Sequence, residues 1–367
     1  MSLAGIIGIL IVCATLLLNL LLLAGIRRRA SSSGKSTVES LPVVAVLVAA
    51  RNEEDTLPRC LDALLNLDYP RDKLRIWVGD DNSTDNTALI LRKYAQKHPQ
   101  IRKVFVTERI GNSYGKANVL AHLGREASAD YFFFTDADTA VPSGWIKAML
   151  PYFQDQTGMT VGTTLVQETS LCGALQCTDW ALAQAMLKVV SDTFEPVTGM
   201  GNNMAMPVKV YREVGGFERL PPSIVEDFEM FRAVKKKGYA VEQLVLPAVT
   251  AETLPVSRIS TLLHQRKRWM VGAGKIHWFL RILLVIQAAY YPALVTLLIA
   301  NPIEGIFVAC SKTVLQAEFI RRFLSRVERK SNIISLLTFE FYSATLSLVL
   351  IFFYFLPIKI RWKNRTY

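Results

Sequence analysis

Four short apolar segments, separated by helical patterns, constrain the fold of this chain most strongly. The apolar segments are VVAVLVAA (43–50), LRIWVGDD (74–81), KVFVTE (103–108) and DYFFFTDAD (130–138). Helical patterns occupy the intervals between them, at 53–67, 83–98 and about 116–127. Strands that alternate with helices predict an α/β domain with a mostly parallel, doubly wound sheet, because parallel strands need a crossover connection.

Acidic residues stand at the carboxyl ends of two of these strands. Four consecutive aromatic residues at 131–134 predict a strand buried on both faces, and such burial must end before ionised carboxylates begin. We therefore expect Asp136 and Asp138 at the end of the fourth strand and Asp81 at the end of the second. Ligands of such sheets bind beyond the carboxyl ends of the strands. The alternative is a set of solvated turns.

The carboxylates at this edge suit a divalent cation. Asp136 and Asp138 are two residues apart, so on a regular strand both side chains point to the same side and can share one ion. Hard oxygen ligands favour Mg²⁺ or Mn²⁺, and such an ion offsets the charge of a diphosphate leaving group. Asp81 can accept hydrogen bonds from a base or a ribose.

Two later segments add further candidate site residues. Glu226 and Asp227 open a predicted helix at 225–239, where an acid serves either as a cap or as a general base. In QRKRW (265–269), Arg268 offers a planar guanidinium group for a diphosphate. Trp269 either stacks on an acceptor or lies at a membrane interface, and the basic residues of this segment could equally contact lipid headgroups.

Long apolar segments indicate membrane attachment. The segments Leu3–Ile26, 279–300 and 333–356 each have a length that spans a bilayer, whereas 303–320 carries costly charges. We expect a transmembrane anchor at 1–27, a linker at 28–41, a catalytic domain at 42–276, a membrane region of two or three helices at 277–357 and a basic tail at 358–367. Arg27–Arg29 after the first segment place the catalytic domain in the cytoplasm by the positive-inside rule.

Charge and cysteine content exclude other classes of function. The net charge is +11, but the basic clusters lie beside apolar segments, which favours contact with anionic membrane lipids over nucleic acid. The five cysteines are scattered and show no zinc-ligand spacing. The segment GNSYG (111–115) matches the G-x-S-x-G pattern and leaves a serine hydrolase on Ser113 as a remote alternative, beside a non-catalytic membrane-binding protein.

Seven ordered motifs resemble a known enzyme family. They are VLVAARNEE, GDDNSTDNT, Gly115-Lys116, TDAD, GGF, VEDFEM and QRKRW, between about residues 42 and 275. In this order they resemble family 2 glycosyltransferases with the GT-A fold, a Rossmann-like and mostly parallel sheet. The version with QxxRW and flanking membrane helices is similar to ceramide glucosyltransferases and to the hyaluronan and cellulose synthase group.

The resemblance implies inverting transfer of a sugar from a nucleotide donor, usually linked to UDP, with Mn²⁺ or Mg²⁺ as cofactor. It implies that Asp138, with Asp136, holds the metal, and that Asp227, with Glu226 beside it, supplies the catalytic base. Gln265, Arg268 and Trp269 would hold the diphosphate and the acceptor. The implied contacts to the nucleotide sugar are Ala50, Asn52, Glu54, Asp81, Lys116, Asp136 and Asn203.

We therefore expect an integral membrane enzyme that acts on a lipid or lipid-linked acceptor at the cytoplasmic face. The small number of spanning segments favours transfer of one sugar, or very few, and a processive polysaccharide synthase is the alternative.

Overall fold

A computed structural model describes residues 3–26, 40–273, 278–363 and 365–366. The predicted linker therefore lies almost wholly outside the described residues, as does the Arg27–Arg29 cluster. The chain divides into two compact units. One unit comprises residues 32–166 and 198–254, and the other comprises 1–31, 167–197 and 255–367.

The elements are numbered in chain order. The strands are β1 (Val44–Ala50), β2 (Leu74–Asp80), β3 (Ile101–Phe105), β4 (Tyr131–Asp136), β5 (Thr139–Ala140), β6 (Thr157–Val161), β7 (Thr163–Val166), β8 (Asn203–Pro207), β9 (Ala240–Gln243), β10 (Thr250–Thr253), β11 (Arg361–Trp362) and β12 (Arg365–Thr366). The helices are α1 (Leu3–Gly25), α2 (Leu57–Leu65), α3 (Thr87–Lys97), α4 (Lys116–Glu126), α5 (Trp145–Met149), α6 (Leu171–Thr193), α7 (Val208–Glu213), α8 (Gly216–Arg219), α9 (Glu226–Lys236), α10 (Ile259–Ala273), α11 (Trp278–Ala300), α12 (Pro302–Arg326) and α13 (Ile333–Phe355).

The unit of residues 32–166 and 198–254 is built on a seven-stranded sheet in the order β3-β2-β1-β4-β8-β6-β9. Strands β3, β2, β1 and β4 are parallel, and β8 is antiparallel to both of its neighbours. Ala50 pairs with Asp80, and Ala49 pairs with Asp136. The carboxyl ends of β1, β2 and β4 therefore meet at one edge of the sheet, as the sequence predicts.

The aromatic strand β4 is buried on both faces. Phe132, Phe133 and Phe134 are each 0% exposed. Phe133 contacts Trp145 on one face with ring centroids 5.0 Å apart, and Phe132 contacts Tyr211 on the other at 5.1 Å. Such edge-to-face pairs stabilise a core beyond simple burial of area. The prediction of a strand covered on both sides is confirmed.

Three element predictions differ from the structure. Helix α2 begins at Leu57, so the acidic residues at 53–55 precede the helix and do not occupy its first turn. Strand β3 lies at Ile101–Phe105, two residues before the predicted segment. The composition of TGMGNNMA (198–205) predicts a turn, and residues 201–202 form one, but Asn203–Pro207 is the strand β8 because it pairs with β4 and β6.

The other unit consists mainly of long helices. Within the part of the chain that the structure describes, three helical segments are long and apolar enough to cross a membrane: Gly5–Gly25, Arg281–Ala300 and Ile333–Phe355. Helix α12 carries charged residues, and its Lys312 ammonium lies 2.5 Å from a carboxylate oxygen of Glu340 on α13. Gln316 also donates to Glu340, at 3.1 Å. Lys312 is only 1% exposed, so this ion pair is a buried link between two helices.

Candidate active site

The loops that follow β1 and β2 are joined by hydrogen bonds at the carboxyl edge of the sheet. The Asp81 backbone N–H donates to the Ala50 carbonyl oxygen at 2.9 Å, and the Arg51 guanidinium donates to the Asp81 carbonyl oxygen. Asn52, whose φ of 51° lies in the left-handed region, accepts at Oδ1 from the Thr84 N–H at 2.9 Å. The predicted residues Ala50, Asn52 and Asp81 are thus brought together, and Arg51 is an additional residue that sequence reasoning missed.

Glu54 stabilises the contact between the same two loops. Its Oε2 accepts from the Asn86 backbone N–H at 3.0 Å and from the Asn86 side-chain amide at 2.7 Å. The Glu54 N–H donates to Asp85 Oδ2 at 3.1 Å. Burial would raise the pKa of Asp85, but hydrogen bonds from Thr87 outweigh it and hold that pKa below its usual value. These contacts fix the shape of the edge, whereas contact of Glu54 with a nucleotide sugar stays a prediction.

Lys116, at the start of α4, lies at the centre of an acidic cluster. Its ammonium nitrogen is 2.5 Å from Asp136 Oδ1 and 3.1 Å from Glu226 Oε1. Burial of this ammonium group disfavours its charge, but the neighbouring carboxylates outweigh burial, so the pKa of Lys116 lies above its usual value. Lys116 is therefore a fixed positive charge that joins β4 to α9. We call Lys116, Asp136, Glu226 and Asp227 the acidic cluster.

Asp227 adjoins Lys116 from a second direction. Its Oδ2 accepts from the Gly201 N–H at 2.8 Å, and its Oδ1 accepts from the Phe228 N–H at 2.8 Å. A Cβ at position 201 would lie 3.0 Å from the Asp227 Cβ and 3.1 Å from the Lys116 nitrogen. A side chain at 201 would therefore crowd both groups, and glycine at this position permits the close approach. Glu226 is buried and paired with Lys116, whereas Asp227 is only half-buried.

Asp138 lies just beyond the strand that carries Asp136. Strand β4 ends at Asp136, so the regular alternation assumed for the two aspartates does not continue to Asp138. Asp138 Oδ1 accepts from the Thr139 hydroxyl at 3.1 Å, and its carbonyl accepts from Arg59 at 3.4 Å. Among the residues that the structure describes, no three His, Cys, Asp or Glu side chains form a complete metal-ligand set.

Asn203 lies inside the sheet. Its side chain is 0% exposed, donates to the carbonyls of Thr163 and Val249 at 2.7 and 2.9 Å, and accepts from the Trp145 indole N–H at 2.9 Å. Both amide hydrogens and the amide oxygen therefore have partners within the protein. These bonds tie β8 to β7 and to α5, which is a structural role.

The QRKRW segment lies on α10, in the other unit. Gln265, Arg268 and Trp269 are half-buried there. The Trp269 ring contacts the Trp180 ring at 5.3 Å between centroids, and the Arg266 guanidinium lies 4.3 Å from the Trp269 centroid. Arg266 also donates to Asp179 Oδ2 at 2.5 Å. Arg266, between Gln265 and Arg268, thus has structural partners that the motif alone did not reveal.

Ser113 does not have the surroundings of a hydrolase nucleophile. Its hydroxyl donates to the Ile110 carbonyl at 2.5 Å and lies 3.0 Å from Asn118 Oδ1. The side chain is 2% exposed. His122, on the following helix, contacts the Glu108 carbonyl. Ser113 therefore stabilises the loop before α4, and the structure gives no support to the serine hydrolase alternative.

The mostly parallel sheet with carboxylates and a lysine at its carboxyl edge is the arrangement that the resemblance to GT-A enzymes predicts. The mannosyltransferase PcManGT from Pyrobaculum calidifontis, solved in complex with GDP-Man and Mn²⁺, shares the fold with a TM-score of 0.60. The two chains are 20% identical, and the alignment covers 89% of this chain and 99% of the other.

Residues 42–272 match the family described as "Glycosyltransferase like family 2". The chain belongs to this family, and the predicted family, fold class and enzyme class are confirmed.

Curated relatives give the match a biochemical context. The beta-monoglucosyldiacylglycerol synthase of Synechocystis sp. is 30% identical over 65% of this chain and 50% of its own length. The probable glycosyltransferase YdaM of Bacillus subtilis is 29% identical over 65% of this chain and 57% of its own. The poly-beta-1,6-N-acetyl-D-glucosamine synthase of Staphylococcus aureus is 25% identical over 65% and 56%. The chain spans about half the length of the curated relatives it matches.

Proposed function

We propose that this protein transfers a single sugar, or very few, from a nucleotide sugar to a lipid or lipid-linked acceptor at a membrane. The observation that carries the proposal is the coexistence of a family 2 transferase domain with three candidate membrane spans in one chain. The relatives named beta-monoglucosyldiacylglycerol synthases support a lipid acceptor. A UDP-linked donor follows from the motif resemblance.

Asp138 and Asp136 are the proposed ligands of a divalent cation. The donor set fits Mg²⁺ or Mn²⁺, because these ions bind hard carboxylate oxygens and often use only one or two protein ligands beside water and substrate phosphates. Asp136 is also held by Lys116 at 2.5 Å, so Asp138 is the principal ligand. A bound cation would offset negative charge on the diphosphate leaving group.

Asp227 is the proposed general base. During inverting transfer, the acceptor oxygen bonds to the anomeric carbon, the bond from that carbon to the diphosphate oxygen breaks, and the acceptor proton passes to the Asp227 carboxylate. Two backbone N–H bonds, from Gly201 and Phe228, orient this carboxylate. Glu226 is held by Lys116 at 3.1 Å and is 7% exposed, which makes it a poor candidate for the base.

The remaining roles are proposed for other residues of the motifs. Asp81 accepts hydrogen bonds from the nucleoside, and Arg268 binds the diphosphate through its guanidinium group. Gln265 and Trp269 contact the diphosphate and the acceptor. We leave Asn203 out of the donor contacts because its amide is already fully hydrogen-bonded.

The proposal places the catalytic domain on the cytoplasmic side of the membrane. Arg27–Arg29 follow the first candidate span, and arginines next to a span favour the cytoplasmic side. A cytoplasmic domain also has direct access to soluble nucleotide sugars. Protease accessibility of the catalytic domain in intact cells compared with inverted vesicles checks this orientation.

The test is a transfer assay with the full-length protein in membranes, over a panel of UDP- and GDP-linked sugars, with mass spectrometry of the lipids. We expect one sugar, or very few, on a lipid or lipid-linked acceptor for one donor of the panel. An Asp138→Asn variant is the matched control, because it keeps the fold and loses a metal ligand. Absence of any labelled product from every donor would contradict the proposal.

A polymer product is the second candidate function. It is favoured by the similarity to the poly-beta-1,6-N-acetyl-D-glucosamine synthase of Staphylococcus aureus. The same assay separates the two candidates, because a processive enzyme yields long chains whose length grows with donor concentration. A non-catalytic membrane-binding protein would release no nucleoside diphosphate.

A further inference from the structure

Lys267, in the middle of QRKRW, makes a set of contacts that its motif position does not explain. Its ammonium group donates to the backbone carbonyls of Phe353 at 3.1 Å, Leu356 at 3.0 Å and Ile358 at 3.0 Å. An ammonium group has three N–H donors, so all three are used. The side chain is buried. Lys267 therefore does not extend into solvent or towards headgroups as an anchoring lysine would.

The carbonyls that Lys267 binds lie at the end of the last candidate span. Helix α13 ends at Phe355, and the last carbonyls of a helix lack partners within the helix. They also carry partial negative charge from the helix dipole, which favours a cation at this position. An unsatisfied carbonyl in an apolar environment is costly, so one buried ammonium group stabilises the end of α13 and the residues that follow it.

Helix α10 is held at a second place by Arg266. This guanidinium group binds Asp179 of α6 at 2.5 Å and covers the Trp269 ring at 4.3 Å. Trp180, also on α6, contacts the Trp269 ring with centroids 5.3 Å apart. The helix is thus fixed to α6 through one residue of the motif and to the end of α13 through the next.

We propose that Lys267 is a positioning residue that latches α10 to the carboxyl end of the last candidate span. The residues that the latch places are Gln265, Arg268 and Trp269, so the inference rests on the proposed function of these side chains. In bond-forming enzymes, a misplacement of about 1 Å can cost about 100-fold in rate, even when the altered residue does not touch the substrate. The end of α13 then helps to set the positions of these three side chains on α10.

The experiment compares Lys267→Met, which keeps the length of the side chain and removes its donors, with Lys330→Met. Lys330 is exposed, lies in the same unit and serves as the matched control. Hydrogen exchange of the full-length protein in nanodiscs is followed by mass spectrometry. We expect faster exchange in Lys267→Met at residues 259–273 and 353–358 and no change at β1, β2 and β4. Lys330→Met is expected to match the wild type.

Kinetics separate positioning from a general loss of stability. Lys267→Met is expected to lower the turnover number of folded protein by about 10- to 100-fold. Lys267→Arg, which again offers several donors to carbonyls, is expected to restore most of the rate. Unchanged exchange at 259–273, or a loss of rate that Lys267→Arg does not reverse, would overturn the proposal.

A milder variant covers the case in which Lys267→Met does not fold. Lys267→Gln retains donors for part of the carbonyl set and is expected to show an intermediate loss of rate, whereas wild-type turnover in Lys267→Gln overturns the proposal. Failure of the proposed function is recognised separately, because the wild type would then transfer no sugar while the exchange result at 259–273 still decides whether the latch exists.

Discussion

Replacement of Asp227 by asparagine tests the proposed chemistry most directly. The amide has nearly the shape of the carboxylate but cannot accept the proton of an acceptor hydroxyl. A positioned base contributes a factor of about 10² to 10⁴ to a rate. At 1.36 kcal/mol per tenfold, the loss corresponds to about 3 to 5 kcal/mol of transition-state stabilisation. We expect Asp227→Asn to lower the transfer rate by that amount.

The structure predicts a much smaller effect of this change on folding. Asp227 accepts from the Gly201 and Phe228 N–H groups, and an asparagine oxygen can keep one of these two bonds. Loss of one hydrogen bond costs about 1 kcal/mol, with a further penalty if the N–H group stays buried and unpaired. The variant is therefore expected to fold and to bind the nucleotide, because the proposed metal ligands are other residues.

The matched control is Glu226→Gln. Its amide oxygen can still accept from Lys116, which also keeps its contact with Asp136 at 2.5 Å, so we expect less than about a tenfold fall in rate. The assay combines single-turnover transfer by the full-length protein in nanodiscs with calorimetric titration of UDP. Near wild-type transfer by Asp227→Asn, with loss of transfer in Glu226→Gln, would move the base to Glu226. Full activity of both variants would show that α9 carries no base.

Three further predictions concern the metal, the product and the membrane helices. Excess chelator is expected to abolish transfer, and added Mn²⁺ or Mg²⁺ is expected to restore it. A direct titration is expected to show a lower metal affinity for Asp138→Asn than for the wild type. Undiminished turnover in excess chelator would contradict the metal site. Mass spectrometry is expected to find one sugar, or very few, per acceptor, and long polysaccharide from purified protein contradicts single transfer. Lys312→Met and Glu340→Gln are each expected to destabilise the helical unit by about 3–5 kcal/mol, because each leaves the opposite charge of the ion pair uncompensated, whereas the double variant costs less than the sum. Thermal unfolding in detergent measures this, and additive losses contradict a coupled pair.

The sequence predicts the central strands well for a physical reason. Strands β1, β2 and β4 begin and end within about two residues of their predicted positions, because such largely buried apolar segments must stop where ionised carboxylates begin. The same argument places Asp81 and Asp136 at one edge of the sheet. Parallel pairing then follows from the helices between the strands. The location of the candidate site can therefore be predicted without knowledge of any side-chain contact.

The errors arise where distant parts of the chain decide the local structure. Asn203–Pro207 is a strand because β4 and β6 pair with it, and its Gly/Asn-rich approach gives no local sign of that pairing. Helix α2 starts late because Glu53 and Glu54 are used by the β2–α3 loop: the Glu53 N–H donates to the Thr87 hydroxyl at 2.7 Å, and Glu54 accepts from Asn86. The negative charge of Glu53 and Glu54 is typical of the first turn of a helix, but both residues form hydrogen bonds with residues 86–87 beside the edge of the sheet.

The acidic cluster shows what a linear motif cannot encode. Consecutive residues of a helix point about 100° apart, so Glu226 and Asp227 would ordinarily face different surroundings. Lys116 lies 3.1 Å from Glu226, and Asp227 meets the same ammonium group through its charge, because Gly201 has no side chain to separate them. Residues 116, 136, 201, 226 and 227 therefore depend on one another. Gly201 belongs to none of the seven motifs, yet a Cβ at this position would lie 3.0 Å from the Asp227 Cβ and 3.1 Å from the Lys116 nitrogen. We therefore expect Gly201→Ala to impair transfer while the sheet stays folded; wild-type kinetics in this variant would show that the close approach is not required.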